Sequence, residues 1–203
     1  RRHSFPTRRS SDLLVFGVAV GNTIIGLPFR FDENLMIQTK SVLFTLFTPF
    51  TLLAGLVSLT MLIAHGAAYL RLKIDHPIAE KAHSIQKFAS FFALIFFASA
   101  GIVLNKTCFG FTLESVSGSQ DILAKVVGMQ FILENDELSQ RFFSSKAIIA
   151  AMIAFFGFII SMISKKGKPI VGFLGTSLSI IGVIATAGLA TFPFILPSAI
   201  APN

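Results

Sequence analysis

Side chains that could do acid–base or ligand chemistry are scarce in the apolar part of this sequence. His65 is the one His, Asp, Glu, Lys or Arg inside a long uncharged stretch. Ionisable groups inside an apolar helix are costly and mark functional sites by default. A haem or metal ligand at this position would need a partner, and no other uncharged stretch contains His, Asp or Glu. A neutral imidazole that makes one hydrogen bond to a neighbouring helix is therefore the favoured interpretation.

The other candidate groups have simpler interpretations. The single cysteine, Cys108, has no intramolecular disulfide partner and no metal-ligand spacing around it, so a packing role is expected. His76 and His83 lie in a basic segment, where contact with solvent or lipid headgroups is expected. His3 belongs to an N-terminal segment that we expect to take no part in function.

Five long stretches without Asp, Glu, Lys or Arg must position these groups. They are 13–29, 41–70, 88–105, 147–164 and 169–203. A bilayer core about 30 Å thick needs roughly 20 apolar residues in a helix, and each stretch is near that length or longer. With 53% hydrophobic residues and a mean hydropathy of +0.76, the sequence predicts an all-α, polytopic helical membrane protein. Its spans are predicted at 13–29, 41–70, 88–105, 147–164 and 169–191.

The charges between these stretches predict an orientation. Segments 71–87 and 165–168 together carry seven Lys and Arg, whereas the longer gaps 30–40 and 106–146 are sparser in basic residues. Because cytoplasmic loops retain Lys and Arg, 71–87 and 165–168 are predicted to face the cytoplasm. The other two gaps are predicted to face the periplasm or exterior. The net charge of +7 does not indicate a nucleic-acid partner, since four of the 17 basic residues lie in the first nine positions and the others anchor loops.

Two segments outside the predicted spans need separate treatment. Residues 1–12 are polar and Arg-rich, change abruptly into the apolar stretch, and resemble translated adapter sequence. We expect them to be a non-native leader, and 13–203 to be an internal fragment of one helical transmembrane domain. We call the longer outward-facing gap, 106–146, the outer loop. Within it, residues 121–133 are predicted to form an amphipathic helix, with Ile122, Val126 and Met129 on one face.

Small residues spaced four apart predict close helix packing, because backbones must approach where lipid supplies no hydrophobic drive. Packing within one bundle is the favoured interpretation, and a subunit contact is the alternative. The pairs are Gly17 and Gly21, Ala147 and Ala151, and Gly157 and Ser161.

Two proline-bearing segments at span ends are more distinctive. In 21–32 (GNTIIGLPFRFD), Gly26 and Pro28 are expected to end a helix as it leaves the membrane. In 191–198 (TFPFILPS), Pro193 and a second proline are expected to break a helix on the same outer side. Neither segment contains a nucleophile–base pair, a phosphate-binding loop or a cofactor motif.

Four segments together resemble subunit II of the cytochrome bd quinol oxidase family. They are 21–32, the proline-containing 48–59 (TPFTLLAGLVSL), 65–70 (HGAAYL) and 191–198. Their order, spacing and side of the membrane fit that family over nearly all of 13–203. The fragment would then correspond to the third to seventh of eight helices. Thr48 stands before Pro49 where the family commonly has Asn, which removes the amide at that position.

The resemblance implies an accessory, non-haem-binding subunit of a two-subunit oxidase in the bacterial cytoplasmic membrane, which oxidises quinol and reduces dioxygen to water. Haems b and d are expected on the partner, subunit I. This chain is expected to pack against that partner, to stabilise it and, in some members, to hold a structural quinone. Membrane lipid and quinone are the other expected partners, and no catalytic, cofactor-binding or metal-binding residue is expected in this chain. The candidate structural or polar-contact positions are His65, Asn22, Pro28, Pro49 and Pro193.

A secondary transporter or permease is the alternative class. In such a protein, helices broken at Pro28, Pro49 and Pro193 would line a substrate path near the membrane midplane. These prolines lie near span ends, and no uncharged stretch offers an acid for ion coupling. The oxidase subunit is therefore the preferred interpretation.

Overall fold

Five α-helices and two short antiparallel hairpins make up the described part of the computed structural model, which covers residues 6–27, 29–31, 36–39, 43–74, 77–107, 110–116, 129–134 and 145–191. The helices are α1 (Pro6–Ile25), α2 (Pro49–Lys73), α3 (Ile78–Thr107), α4 (Ser145–Ile163) and α5 (Pro169–Thr191). The hairpins pair β1 (Phe29–Phe31) with β2 (Ile37–Thr39), and β3 (Gly110–Val116) with β4 (Met129–Glu134). A 3₁₀ turn covers Leu43–Leu46.

Helices α2 to α5 are each long and apolar enough to cross a membrane, which confirms the predicted polytopic helical membrane protein. The apolar part of α1, Ser11–Ile25, is shorter. The span predicted at 13–29 ends early because Gly26 has a φ of 88°, a backbone conformation that glycine adopts at little cost and that terminates helices. Gly26 is thus confirmed as the end of α1, and Pro28 lies outside the described residues.

Helix α2 begins at Pro49, so the predicted start at residue 41 is wrong. The Thr48 hydroxyl accepts a hydrogen bond from the Thr51 main-chain N–H at 3.2 Å, and the Thr51 hydroxyl accepts one from the Thr48 N–H at 2.8 Å. This reciprocal capping box satisfies two N–H groups that have no partner within the helix. Pro49 occupies the first helical turn, where its missing N–H costs nothing. Pro49 therefore starts a helix and does not break one.

The segment predicted as a basic loop, 71–87, is mostly helical. Helix α2 continues to Lys73 and α3 already starts at Ile78, so the span predicted at 88–105 begins too late. The charged residues there lie on helix ends that extend beyond the apolar stretches. Helix α5, in contrast, has the predicted bounds of 169–191.

The outer loop also differs from its predicted structure. Residues Met129–Glu134 form strand β4, which pairs with β3 with Phe111 opposite Leu133. The predicted helix over 121–133 is therefore wrong in its last part, and 117–128 lie outside the described residues. The spacing of Ile122, Val126 and Met129 fits a helix, but pairing with β3 satisfies the backbone groups of β4 instead.

The bundle core forms where four helices meet. One apolar cluster joins α2, α3 and α4 through Val57, Met61, Ala93, Phe97, Ala154 and Phe158. Helix α1 packs against α2, where a Cβ on Gly17 would lie 2.7 Å from the Ala54 carbonyl oxygen. Helices α4 and α5 are equally close, since a Cβ on Gly175 would lie 2.7 Å from the Ser161 nitrogen. Packing within one bundle is thus confirmed for Gly17 and for the Gly157 and Ser161 pair.

Candidate functional site

A buried arginine joins three helices at one end of the bundle. This end consists of residues 71–74, 77–87 and 164–168, and we call it the basic end. Arg71, on α2, is only 6% exposed. Its Nη2 donates to the main-chain carbonyl oxygens of Lys165 at 3.0 Å and Lys166 at 3.4 Å. These carbonyls belong to the turn that follows the last residue of α4, at the negative end of the helix dipole, and the Lys165 oxygen also accepts from the Lys168 N–H at 3.0 Å. Arg71 therefore caps the C-terminus of α4 from a neighbouring helix.

Gln86, on α3, completes this polar cluster. Its Oε1 accepts from Nη1 of Arg71, and its Nε2 donates to the Ser161 hydroxyl at 2.9 Å. Ser161 in turn contacts the Ser90 hydroxyl at 2.8 Å, and Ser164 accepts from Arg71 Nη1 at 3.2 Å. Gln86, Ser90 and Ser161 are fully buried. Because a buried polar group without a partner is costly, this connected network fixes the relative positions of α2, α3 and α4.

Helix α5 closes the cluster with a glycine. A Cβ on Gly172 would overlap Gln86 Nε2 and would lie 2.9 Å from both Arg71 Nη1 and the Ser164 hydroxyl. Glycine at this position lets α5 lie directly over the polar side chains, whose ends would have to shift to make room for a larger residue. We call Arg71, Gln86, Ser90, Ser161 and Ser164 the polar cluster.

His83 contradicts its predicted solvent contact. It lies on α3, is 6% exposed, and its Nδ1 has no hydrogen-bond partner. The prediction was wrong because α3 starts at Ile78, so that His83 belongs to a packed helix and not to a loop.

His65 makes the predicted hydrogen bond to a neighbouring helix. Its Nδ1 lies 3.0 Å from the Thr176 hydroxyl on α5, and its ring packs at a 31° tilt against the Phe173 ring, with centroids 4.9 Å apart. The Thr176 hydroxyl also lies 2.9 Å from the Phe173 carbonyl oxygen. Because the Thr176 hydroxyl donates its proton to that carbonyl, it accepts from His65, and Nδ1 of the imidazole is the donor. His65 is thus a packed, half-buried contact between α2 and α5.

Asn22 holds the opposite end of the bundle. Its side chain is buried, and Nδ2 donates to the carbonyl oxygens of Val18 and Leu46, both at 2.9 Å. The second bond ties α1 to the 3₁₀ turn that precedes α2. The Thr51 hydroxyl donates to the same Leu46 oxygen at 2.8 Å. Asn22 is therefore a polar contact within this chain.

The remaining candidates fall outside the described residues or have a structural position. Pro28, Pro193, Cys108, His3 and His76 are not among the described residues. Within the described part, no group of three or more His, Cys, Asp or Glu is arranged to hold a metal ion.

Sequence reasoning missed the polar cluster because Arg71 and Gln86, which connect its serines, lie beyond the uncharged stretches. A usable signal was the helical spacing. On α3, Gln86 and Ser90 continue the buried face formed by Ala82, Ala89 and Ala93. On α2, Arg71 continues the buried face of Ala64 and Ala68. A polar residue at the next position of a buried helical face is expected to be buried as well.

Comparison with known proteins identifies the relatives of this bundle. The chain is 32% identical over 198 residues to a "Probable cytochrome oxidase subunit 2" of Haemophilus influenzae, which covers 94% of this chain and 50% of the relative. It is 29% identical over 192 residues to the "Cytochrome bd-I ubiquinol oxidase subunit 2" of Escherichia coli K12, with the same two coverages. The chain thus spans about half the length of the curated relatives it matches. The family described as cytochrome bd terminal oxidase subunit II matches residues 12–201. The chain belongs to that family.

Proposed function

We propose that this chain is an accessory subunit of a bd-type quinol:oxygen oxidoreductase. In this role it packs against the haem-bearing subunit I and stabilises it while quinol is oxidised and dioxygen is reduced to water. The observation that carries the proposal is the family match over residues 12–201. The structure is consistent with a supporting role, because Arg71, Gln86 and His65 are engaged in contacts between helices.

The haems of the oxidase are assigned to subunit I in this proposal. A haem ligand needs a ring nitrogen that faces the iron and space for a macrocycle beside it. His65 has Nδ1 against Thr176 and one ring face against Phe173. No residue of this chain is proposed as a haem ligand. A structural quinone remains part of the proposal without an assigned residue.

The proposed location is the bacterial cytoplasmic membrane, with the basic end in the cytoplasm. The argument is the concentration of Lys and Arg in 71–87 and 165–168. Large apolar side chains on the outer faces of the helices, such as Ile149, Phe156 and Ile184, are exposed in the isolated chain. Lipid or subunit I would cover them in the assembled oxidase.

A secondary transporter gains no support from the described residues. The alternative needs helices broken at prolines near the midplane, but Pro49 lies in the capped first turn of α2. The other two prolines of that hypothesis, Pro28 and Pro193, lie outside the described residues.

Copurification tests the proposal. The natural full-length protein, tagged and extracted in mild detergent, should carry a haem-bearing partner in a fixed ratio, seen as b-type and d-type absorption bands in the reduced spectrum. The variant His65→Phe should retain the same haem content per complex. A preparation free of haem and of partner, or a proportional loss of haem in His65→Phe, would contradict the proposed role.

A further inference from the structure

The basic end has an imbalance of charge that its internal contacts do not neutralise. Among its described residues Glu80 is the single acid, and the basic residues are Arg71, Lys73, Lys81, Lys87, Lys165, Lys166 and Lys168. Arg71 is buried, and its hydrogen-bond partners are a glutamine oxygen, a hydroxyl and two main-chain carbonyls. Its charge therefore adds to the positive potential of this surface.

Two of the lysines lie along one face of α3. Glu80, His83 and Lys87 are spaced three and four residues apart on this helix and so share a face, and Lys166, from the turn between α4 and α5, contacts Glu80 at 3.1 Å. Both lysine side chains are exposed, and the contact of Lys166 with Glu80 lies at the surface. Such exposed ion pairs are weak and exchange readily for other partners. Between Glu80 and Lys87 in the sequence of α3, His83 Nδ1 is buried without a hydrogen-bond partner. Two available ammonium groups beside an unpartnered imidazole favour an anionic ligand.

Apolar side chains border these lysines on the side of the membrane. Phe88 directly follows Lys87 in sequence and is 68% exposed, and Ile163, at the end of α4, is 69% exposed. At the same end of the bundle, Ile85 is 50% exposed and Ile170 is 62% exposed. A ligand that satisfies both surfaces needs an anionic head and a hydrocarbon body. A free phosphate or an acidic peptide would use only the lysines.

We propose that Lys87 and Lys166 bind the phosphate of an anionic phospholipid, in the membrane leaflet at the basic end, with its acyl chains against Phe88 and Ile163. Basic clusters between transmembrane helices bind such headgroups through charge attraction near the membrane surface. A bound headgroup also brings acceptor oxygens and ordered water close to His83. This inference goes beyond the proposed oxidase role and does not depend on it.

Native mass spectrometry of the full-length protein, with whatever partner it retains, tests the proposal. The protein is reconstituted in nanodiscs of phosphatidylglycerol and phosphatidylcholine, released, and scored for the ratio of the two lipids that stay bound. Each lysine near a membrane surface contributes about fivefold to such binding. The double variant Lys87→Gln/Lys166→Gln should therefore lower the ratio by about twenty-fivefold.

Two further variants and one competitor separate the explanations. Lys87→Arg/Lys166→Arg keeps the charge and should retain phosphatidylglycerol, as should Lys146→Gln, which removes an exposed lysine from the start of α4 at the opposite end. Equal retention in all variants overturns the proposal. Loss of a partner subunit without loss of lipid would identify an acidic protein segment as the occupant and would also overturn it. Displacement of the lipid by millimolar inorganic phosphate would show that the site takes free phosphate.

Discussion

Arg71 Nη2 donates to the Lys165 carbonyl oxygen at 3.0 Å, although the two residues are 94 positions apart in the sequence. The contact joins the end of α2 to the end of α4 and neutralises part of the helix dipole with a buried guanidinium. It also places the basic residues of two separate segments at one end of the bundle. The relationship explains why these segments are basic and yet partly buried.

Replacement of Arg71 should destabilise the bundle more than loss of any exposed lysine nearby. Arg71→Met removes the hydrogen bonds to Gln86, Ser164 and the α4 carbonyls, and hydrogen bonds to charged groups contribute about 1.5–3 kcal/mol. We expect the free energy of unfolding to fall by about 2–3 kcal/mol. Unfolding in mixed detergent micelles, followed by far-UV circular dichroism, measures the change. Lys73→Met, on the exposed side of the same helix, is the matched control, and equal effects of the two changes would refute the capping role.

Two glycines of α5 should respond oppositely to alanine. At Gly172 the added Cβ meets Gln86, Arg71 and Ser164, whereas at Gly188 nothing lies within 4 Å. Gly172→Ala should therefore lower stability by about 1–3 kcal/mol through overpacking. Gly188→Ala should raise it by about 0.5–1 kcal/mol, because alanine is the better helix former. The same unfolding titration compares both, and a Gly172→Ala protein as stable as the parent would show that α5 does not lie against the polar cluster.

The cap of α2 should accept asparagine but not alanine. Thr48→Ala removes the acceptor for the Thr51 N–H and should cost about 1 kcal/mol, whereas Thr48→Asn keeps a capping oxygen and should remain within a few tenths of a kcal/mol of the parent. Thermal unfolding of the two variants in the same detergent gives the comparison. Thr60→Val is a suitable control, since the Thr60 hydroxyl bonds only to its own helix. An alanine variant as stable as the asparagine variant would argue against the cap.

His65 and Thr176 should be energetically coupled. A double-mutant cycle with His65→Phe and Thr176→Val should give an interaction energy of about 0.6 kcal/mol, and at most about 1.7, as found for hydrogen bonds between transmembrane helices. Unfolding titrations of the four proteins measure it. An interaction energy of zero would mean that the 3.0 Å contact contributes nothing to the packing of α2 on α5.

The membrane-spanning body could be predicted from the sequence because twenty apolar residues leave few alternatives to a helix in lipid. Helix α5 has its predicted bounds, since Pro169 marks its start and the residues before it are charged. Helices α2 and α3 extend past the apolar stretches, because Arg71, His83 and Gln86 are buried against neighbouring helices. The helical spacing indicates which face of each helix is buried, but tertiary contacts decide which neighbouring helix covers that face.

Two kinds of residue show what sequence reasoning lacked. The hydrogen bond of His65 to another helix was predicted, but its partner Thr176 was not. Any of several hydroxyl groups on the other helices could have been that partner. The strand at Met129–Glu134 was missed because its apolar residues also fit a helical spacing, and the pairing with β3 decides between them. In both cases the missing information is which distant segment lies alongside.

Oxygen consumption tests most directly whether this chain is a supporting subunit of a quinol oxidase, as we propose. The full-length protein is purified through a tag on this chain, and dioxygen uptake is recorded after addition of a reduced short-chain quinol. We expect quinol-dependent uptake that is lost when the haem-bearing partner is removed, and no uptake by this chain alone. A purified preparation that consumes no dioxygen, or a chain that reduces dioxygen without its partner, would contradict the proposed function.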